Sequence, residues 1–443
     1  MTAKRTFFTI CARNYYGLAQ VVRRSVKQHH PEAAFFTFIA DGIPDAERAD
    51  FGDDAVDVPR ATGNRLARDK LREMAFKYNL TEFCTAVKPF CFNHVFDGTD
   101  ADVAIYVDPD ILLFSPLHDV FVALAQASIV LTPHIVFPSL HEGKRSDKGI
   151  LATGVFNLGF LALARSETSE HLLSWWGARL VEQCFIDNHD ALFTDQKWLD
   201  LVPALFPASE VCAFRHAGAN VAPWNFHERQ VDATSGPTLS VRRRINPARL
   251  SDLPAETRVS AEPLLFVHFS GFDYKKFCEG AIVQNNIEGL DLYPDLEPVI
   301  AQYMTQIQEI APVVLKFLLK PYAHATFANG RQILSFHRRL YRAALEVGVA
   351  PGDPFATGRE TFFAQLASSG LLSAGNSEAQ FDKANKNNLT GMDRKLAAFS
   401  WAMRGVKKLI GVERYILLLR LMRPYSRAEA QLHFLDRRFD NRL

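Results

Sequence analysis

Residues 103–107 read Val-Ala-Ile-Tyr-Val, an apolar run without polar alternation and with an aspartate at each end. A strand of this kind has to be covered on both faces. A parallel sheet sandwiched between helices covers it, whereas an open antiparallel sheet leaves one face wet. Neighbouring segments point the same way. "RTFFTICA" at 5–12 reads as a first strand. "YGLAQVVRRSVKQHH" at 16–30 carries Leu18, Val21, Val22 and Val26 at helical spacing. "AAFFTFIAD" at 33–41 reads as a second strand ending at Asp41. Strand, helix, strand in that order predicts a parallel α/β sheet. Further strands are expected in "ASIVLTPH", "GVFNLGFLALA" and "PLLFVHFSG". Helices are expected in "SEHLLSWWGARLVEQC" and, broken at Pro89, in "LTEFCTAVKPFCFNHVF". The expected fold class is α/β, a mixed, mostly parallel sheet flanked by helices with an α-helical C-terminal extension.

The run 103–107 continues into "DPDILLF". On a strand, residues two apart point the same way, so Asp108 and Asp110 emerge side by side at the carboxyl end of a buried strand. Open α/β sheets bind ligands at that edge. Two adjacent carboxylates repel unless a cation sits between them. A divalent metal bound to phosphate oxygens supplies that cation. The alternative is a plain turn, with one capping and one solvated aspartate.

Charge is uneven along the chain. The 443 residues carry a net charge of +1, which gives no bias toward nucleic acid. Residues 394–443 hold 12 Lys+Arg against 4 Asp+Glu, and the remainder holds 38 against 45. A mildly acidic body with a basic tail predicts that the tail meets something anionic. The six cysteines form no CxxC pair and no zinc spacing, so they are read as reduced thiols of a cytoplasmic protein. The N-terminus makes a poor signal peptide, and no apolar run reaches the roughly 18 residues of a spanning helix. The expected organisation is an α/β domain at 1–290, a helical extension at 291–370, a linker at 371–392 and a basic amphipathic helical tail at 393–443.

Seven short motifs follow one another in a telling order. They are "TICARNYYGLAQVV", Lys88 in "AVKPF", "YVDPDILLF", "FNLGFLAL", "DQKWLDLVP", "PWNFHER" and "VHFSGFD". Together, over about residues 5–290, they resemble glycosyltransferase family 8 of the GT-A (Rossmann-like) fold, which includes glycogenin and bacterial lipopolysaccharide galactosyl- and glucosyltransferases. The chain departs from the pattern after the last motif. "GFDYKKFCEG" places Lys275 one position late and lacks the Pro-Trp pair, so the diphosphate lysine is Lys275, Lys276 or neither.

The resemblance implies roles. Asp108, Asp110 and His268 would hold Mn²⁺ or Mg²⁺, a mixed oxygen–nitrogen set that suits Mn²⁺. Thr9, Ala12, Asn14 and Tyr15 would hold the nucleoside, and Asp41 would contact base or ribose. Gly271 would admit the diphosphate, and Lys88 would neutralise its charge. Asn157 and Gly159, with Asp195 and Gln196, would face the donor sugar. Trp224 and Asn225 would line the acceptor or sugar pocket. Each residue also has a structural reading. Asn14 can cap a helix, Trp224 can be a core residue and His268 a hydrogen-bonded core histidine.

The implied activity is metal-dependent transfer of a sugar from a nucleotide-diphosphate sugar, UDP-linked, to an acceptor hydroxyl with retention. Bacterial surface glycan or lipopolysaccharide synthesis would be its setting. The acceptor is a glycan, a lipid-linked glycan or a protein. The basic tail would contact an anionic membrane surface at the cytoplasmic face of the inner membrane. Two rivals stand beside this reading. A sugar nucleotidyltransferase normally needs a Gly-rich basic first loop, and "TICARNYYG" has one arginine and no glycine cluster. A non-catalytic nucleotide- or sugar-binding protein would not need both aspartates, His268 and the Asp-Gln pair.

Overall fold

The computed structural model describes residues 3–137, 147–233, 238–244, 261–287, 289–372, 391–436 and 438. The expected linker at 371–392 lies almost entirely outside the described residues.

The chain forms two compact units, one of residues 1–68 with 80–322 and one of residues 69–79 with 323–443. The first is built on a seven-stranded sheet. Strands β1 (Arg5–Cys11), β2 (Ala34–Ile39), β3 (Ala55–Asp57) and β4 (Val103–Val107) run parallel. After β5 (Ile111–Leu113) come β6 (Ile129–Pro133) and β7 (Phe156–Ala164), and an edge strand at Val211–Ala213. The order across the sheet is 211–213, β6, β7, β4, β1, β2, β3. Only β7 runs against the rest, pairing antiparallel with β4 on one side and β6 on the other. The expected fold class is therefore present: a mostly parallel sheet with helices around it and a helical C-terminal region.

Every residue of β4 is buried, as its uninterrupted apolar sequence requires. β5 does not join the main sheet. It pairs antiparallel with the strand Phe266–His268, and the register sets His268 opposite Ile111. That pairing carries the functional site.

The helices 297–308 and 311–318, expected in the extension, belong to the first unit. Tyr303, Ile307 and Val314 share a buried cluster with Leu18 and Val21 of the helix Tyr16–His29. Gly17 makes the approach close, since a Cβ there would lie 2.5 Å from the Val314 Cα. The boundary expected at 290 thus falls at 322. Helical periodicity shows which face is apolar, but not which neighbour covers it.

Residues 69–79, expected in the α/β domain, belong to the second unit. Phe76 packs edge-on against Tyr341, Phe355 and Phe362. Arg338 donates to the carbonyls of Ala75, Phe76 and Tyr78 at 3.2, 2.6 and 2.9 Å, satisfying the open end of the helix Arg68–Lys77.

Candidate metal and donor site

β4 ends at Val107, and Asp108 donates its backbone N–H to the carbonyl of Gly159 on β7 at 2.7 Å. Pro109 turns the chain, and Asp110 precedes β5. Because His268 ends the strand paired with β5, the three side chains converge across more than 150 residues of sequence. His268 Nε2 lies 3.0 Å from Asp110 Oδ1 and 3.6 Å from Asp108 Oδ2. One ligand atom from each residue falls within a set whose members lie no more than 4.8 Å apart. Gly159 makes this cluster possible. A Cβ at that position would stand 2.5 Å from His268 Cε1 and 2.8 Å from Asp108 Oδ2.

Hydroxyls hold both carboxylates. Tyr106 donates to Asp108. Tyr274 donates to Asp110 Oδ2 at 3.2 Å and to the Phe269 carbonyl at 2.9 Å. Burial pushes the Asp108 carboxyl up, and the positive charges of His268 and Lys88 offset this only in part. Burial also works against Asp110, but the charge and hydrogen bond of His268, with Tyr274, outweigh it and hold that carboxyl low. For His268, burial is outweighed by the two aspartates, and its pKa is raised. The donor set of two carboxylates and one imidazole fits Mn²⁺ or Mg²⁺.

These residues line a cavity of about 670 Å³, the size of an ordinary small-molecule site. Tyr15, Lys88, Asn157, Gly159, Asp195, Gln196, Trp224 and Gly271 line it as well. Gly271 has φ +81°, and any Cβ there would collide with Asn286. Burial, with the charge of Asp110, pushes the Tyr15 phenol up to about 12, so it stays neutral.

Lys88 lines the cavity from a buried position. It is 1% exposed, pairs with Asp195 and donates to the Leu158 carbonyl at 2.8 Å. Its charge faces Asp195 and also acts on Asp108. Gln196 donates to the Thr153 carbonyl at 2.6 Å, which fixes its amide beside Asp195. Thr194, just before this pair, sits at φ 48°, a strained conformation often met at functional sites.

Thr9, Ala12, Asn14, Asp41, Asn225 and Lys275 do not line the cavity. Thr9 is buried within β1. Ala12 is buried just beyond it, and the buried Oδ1 of Asn14 has no partner among the described residues. Asp41 accepts from the Arg13 N–H at 2.8 Å and pairs with its guanidinium. The Asn225 amide is committed to backbone, accepting from Ala222 and donating to the carbonyls of His134 and Asn220. It shapes the loop that carries Trp224. Lys275 is exposed on the helix Tyr274–Cys278, and Lys276 pairs with Glu279. Of the two lysine candidates, neither reaches the cavity.

Sequence reasoning missed Tyr106, Tyr274 and His134. Tyr106 lies two residues before Asp108, so strand periodicity gave a signal for it. Tyr274 and His134 reach the site only through the fold.

The fold and site define a mostly parallel α/β protein with a carboxylate–imidazole cluster at the carboxyl edge of its central strand. No family model matches the sequence. Among curated proteins, it is similar to the uncharacterized proteins YfnF and YfnD of Bacillus subtilis (strain 168). YfnF is 26% identical over 209 residues, 47% of this chain and 62% of that protein. YfnD is 26% identical over 194 residues, 43% of this chain and 54% of that protein. The match therefore spans little more than half the length of these relatives. Solved structures with some likeness are glycosyltransferases. The galactosyltransferase LgtC with donor and acceptor sugar analogues is 18% identical, with TM-score 0.35, covering 60% of this chain and 87% of that one. The glycosyltransferase GlyE of Streptococcus pneumoniae TIGR4 is 15% identical, with TM-score 0.36, covering 77% and 73%.

Proposed function

We propose that this protein transfers a sugar from a nucleotide-diphosphate sugar, UDP-linked, to an acceptor hydroxyl, and that it does so with a bound Mn²⁺ or Mg²⁺. The observation that carries the reading is the convergence of Asp108, Asp110 and His268 on one wall of a cavity that also holds the Lys88–Asp195 pair. When bound, the ion offsets the charge of the departing diphosphate. The protein's own groups do the rest. Tyr106 and Tyr274 hold the carboxylates in place. Asp195, held by Lys88, faces the sugar and stabilises positive charge developing at the anomeric carbon. Gln196 is an amide tied to the Thr153 carbonyl, a poor nucleophile, which favours substitution from the front face with retention. The leaving phosphate takes the proton of the attacking hydroxyl.

The acceptor in this reading is a glycan or lipid-linked glycan of a bacterial surface polysaccharide, made at the cytoplasmic face of the membrane. The segment Met392–Tyr425, two helical stretches that meet at Gly411 (φ 79°), supports the membrane part. It has no buried residue and carries eight Lys+Arg against two Asp+Glu. Leu396, Phe399, Met403, Val406 and Ile410 form one apolar stripe along it. A basic, amphipathic, exposed helix suits an anionic lipid surface. No helix among the described residues is long and apolar enough to cross a membrane.

The test is slow hydrolysis of UDP-sugars with Mn²⁺. The reading expects turnover that stops with chelator and with Asp108→Ala or Asp110→Ala. Hydrolysis indifferent to both would overturn it.

A further inference from the structure

Two backbone groups set the polarity of the hydrogen bonds behind His268. The His134 Nδ1 faces the Val155 carbonyl at 3.3 Å. A carbonyl only accepts, so Nδ1 carries a proton, and in the neutral ring His134 Nε2 then presents a lone pair. That lone pair faces the side-chain nitrogen of Asn157 at 3.5 Å, where the amide NH₂ donates. The Asn157 oxygen then points the other way. The Gly159 N–H confirms this orientation, since it donates to Asn157 Oδ1 at 3.3 Å. The same oxygen lies 3.2 Å from His268 Nδ1. Facing an acceptor, that ring nitrogen must bear a proton. His134, Asn157 and His268 are all buried.

We propose that Asn157 is a positioning residue. It pins the Nδ1 proton of His268, so that Nε2, which donates to Asp110 in this structure, is the nitrogen that exchanges its proton for a divalent cation, with His134 setting the amide's orientation from behind. This rests on the metal-dependent reading above. It differs from the sugar-facing role that the family resemblance implies for Asn157. Partners that fix the tautomer and ring orientation of a metal-ligating histidine typically change metal affinity about 10–100-fold when removed. Asn157→Leu removes the hydrogen bonds to both histidines and to the Gly159 N–H at similar volume. Asn157→Asp keeps an acceptor for the Nδ1 proton.

The experiment is titration of the metal-free protein with Mn²⁺ alone, followed by electron paramagnetic resonance, with melting temperature as the check on folding. Asn157→Leu is expected to weaken Mn²⁺ binding by about 10–100-fold, and Asn157→Asp to stay within a few-fold of wild type. His134→Phe, which removes the acceptor that orients the amide, is expected to fall between them. Folded Asn157→Leu protein that binds Mn²⁺ like wild type, with only the donor KM raised, would overturn the proposal in favour of a sugar contact. Should Asn157→Asp lose as much as Asn157→Leu, the tautomer account also fails. Wild-type protein that binds no Mn²⁺ would overturn the metal-dependent reading itself.

Discussion

The Lys88–Asp195 pair is buried on both sides, with side chains 1% and 3% exposed. Removing one partner of such a pair leaves an uncompensated charge in the interior, which costs about 3–5 kcal/mol. Lys88→Met is therefore expected to lower the melting temperature sharply. The double variant Lys88→Met with Asp195→Asn is expected to recover most of that loss while staying inactive. Denaturant unfolding of the three proteins checks this, and equal stabilities would remove the pair from the account. Gly159→Ala tests a different point. Its Cβ would press on His268 and Asp108, so Mn²⁺ affinity is expected to drop about tenfold or more. Stability should change less than for Lys88→Met, and calorimetry reads both. At this scale the sequence was generous. The aspartate pair, His268, Lys88, Asp195, Asn157 and Gly159 all stood in short motifs and all line one cavity. What it withheld was the state of each polar group. Asn225 looks free in a string of letters, yet its amide is consumed by backbone.

Elements decide why other parts stayed hidden. β5 is three residues long and pairs with a strand more than 150 residues later. No local pattern announces such a register, so Tyr274 and His134 had no signal. The uninterrupted apolar run of β4 was the clearest reading in the chain. Between β1, the helix Tyr16–His29 and the turn after β5, His30 accepts from the Leu117 N–H at 3.1 Å and stacks on Phe7. Burial there lowers its pKa from 6.5 to about 4. Between those two values the unfolded chain takes a proton that the native state does not, so stability falls as pH falls through the window. His30→Gln retains an acceptor and does not titrate there. Its melting temperature is expected to fall less than that of wild type between pH 7 and pH 5. The helix Met392–Tyr425 predicts an association. Vesicles of anionic lipid are expected to pull down the full chain at low salt, whereas neutral vesicles are not. Leu396→Glu with Phe399→Glu is expected to abolish the effect. Binding to neither vesicle, or equally to both, would remove lipid charge as the partner.

For the molecule as a whole, the two compact units divide the chain differently from its composition. The sequence shifts character near residue 291, and the structure divides at 322, because Gly17 and the apolar face of the first helix draw the helices 297–318 into the sheet's unit. Residues 69–79 cross the other way, held by Phe76 and by the three carbonyls bound to Arg338. Such exchanges depend on which surface fits, and no composition window reports that. The first unit nonetheless contains every lining residue of the cavity. In the function proposed above, the protein grips a nucleoside diphosphate through a cation held by Asp108, Asp110 and His268. Calorimetric titration of UDP into the full chain, with and without Mn²⁺, measures that grip directly. The account predicts UDP binding that needs Mn²⁺ and disappears in Asp110→Ala. Equal UDP affinity with chelator, or in Asp110→Ala, would contradict it.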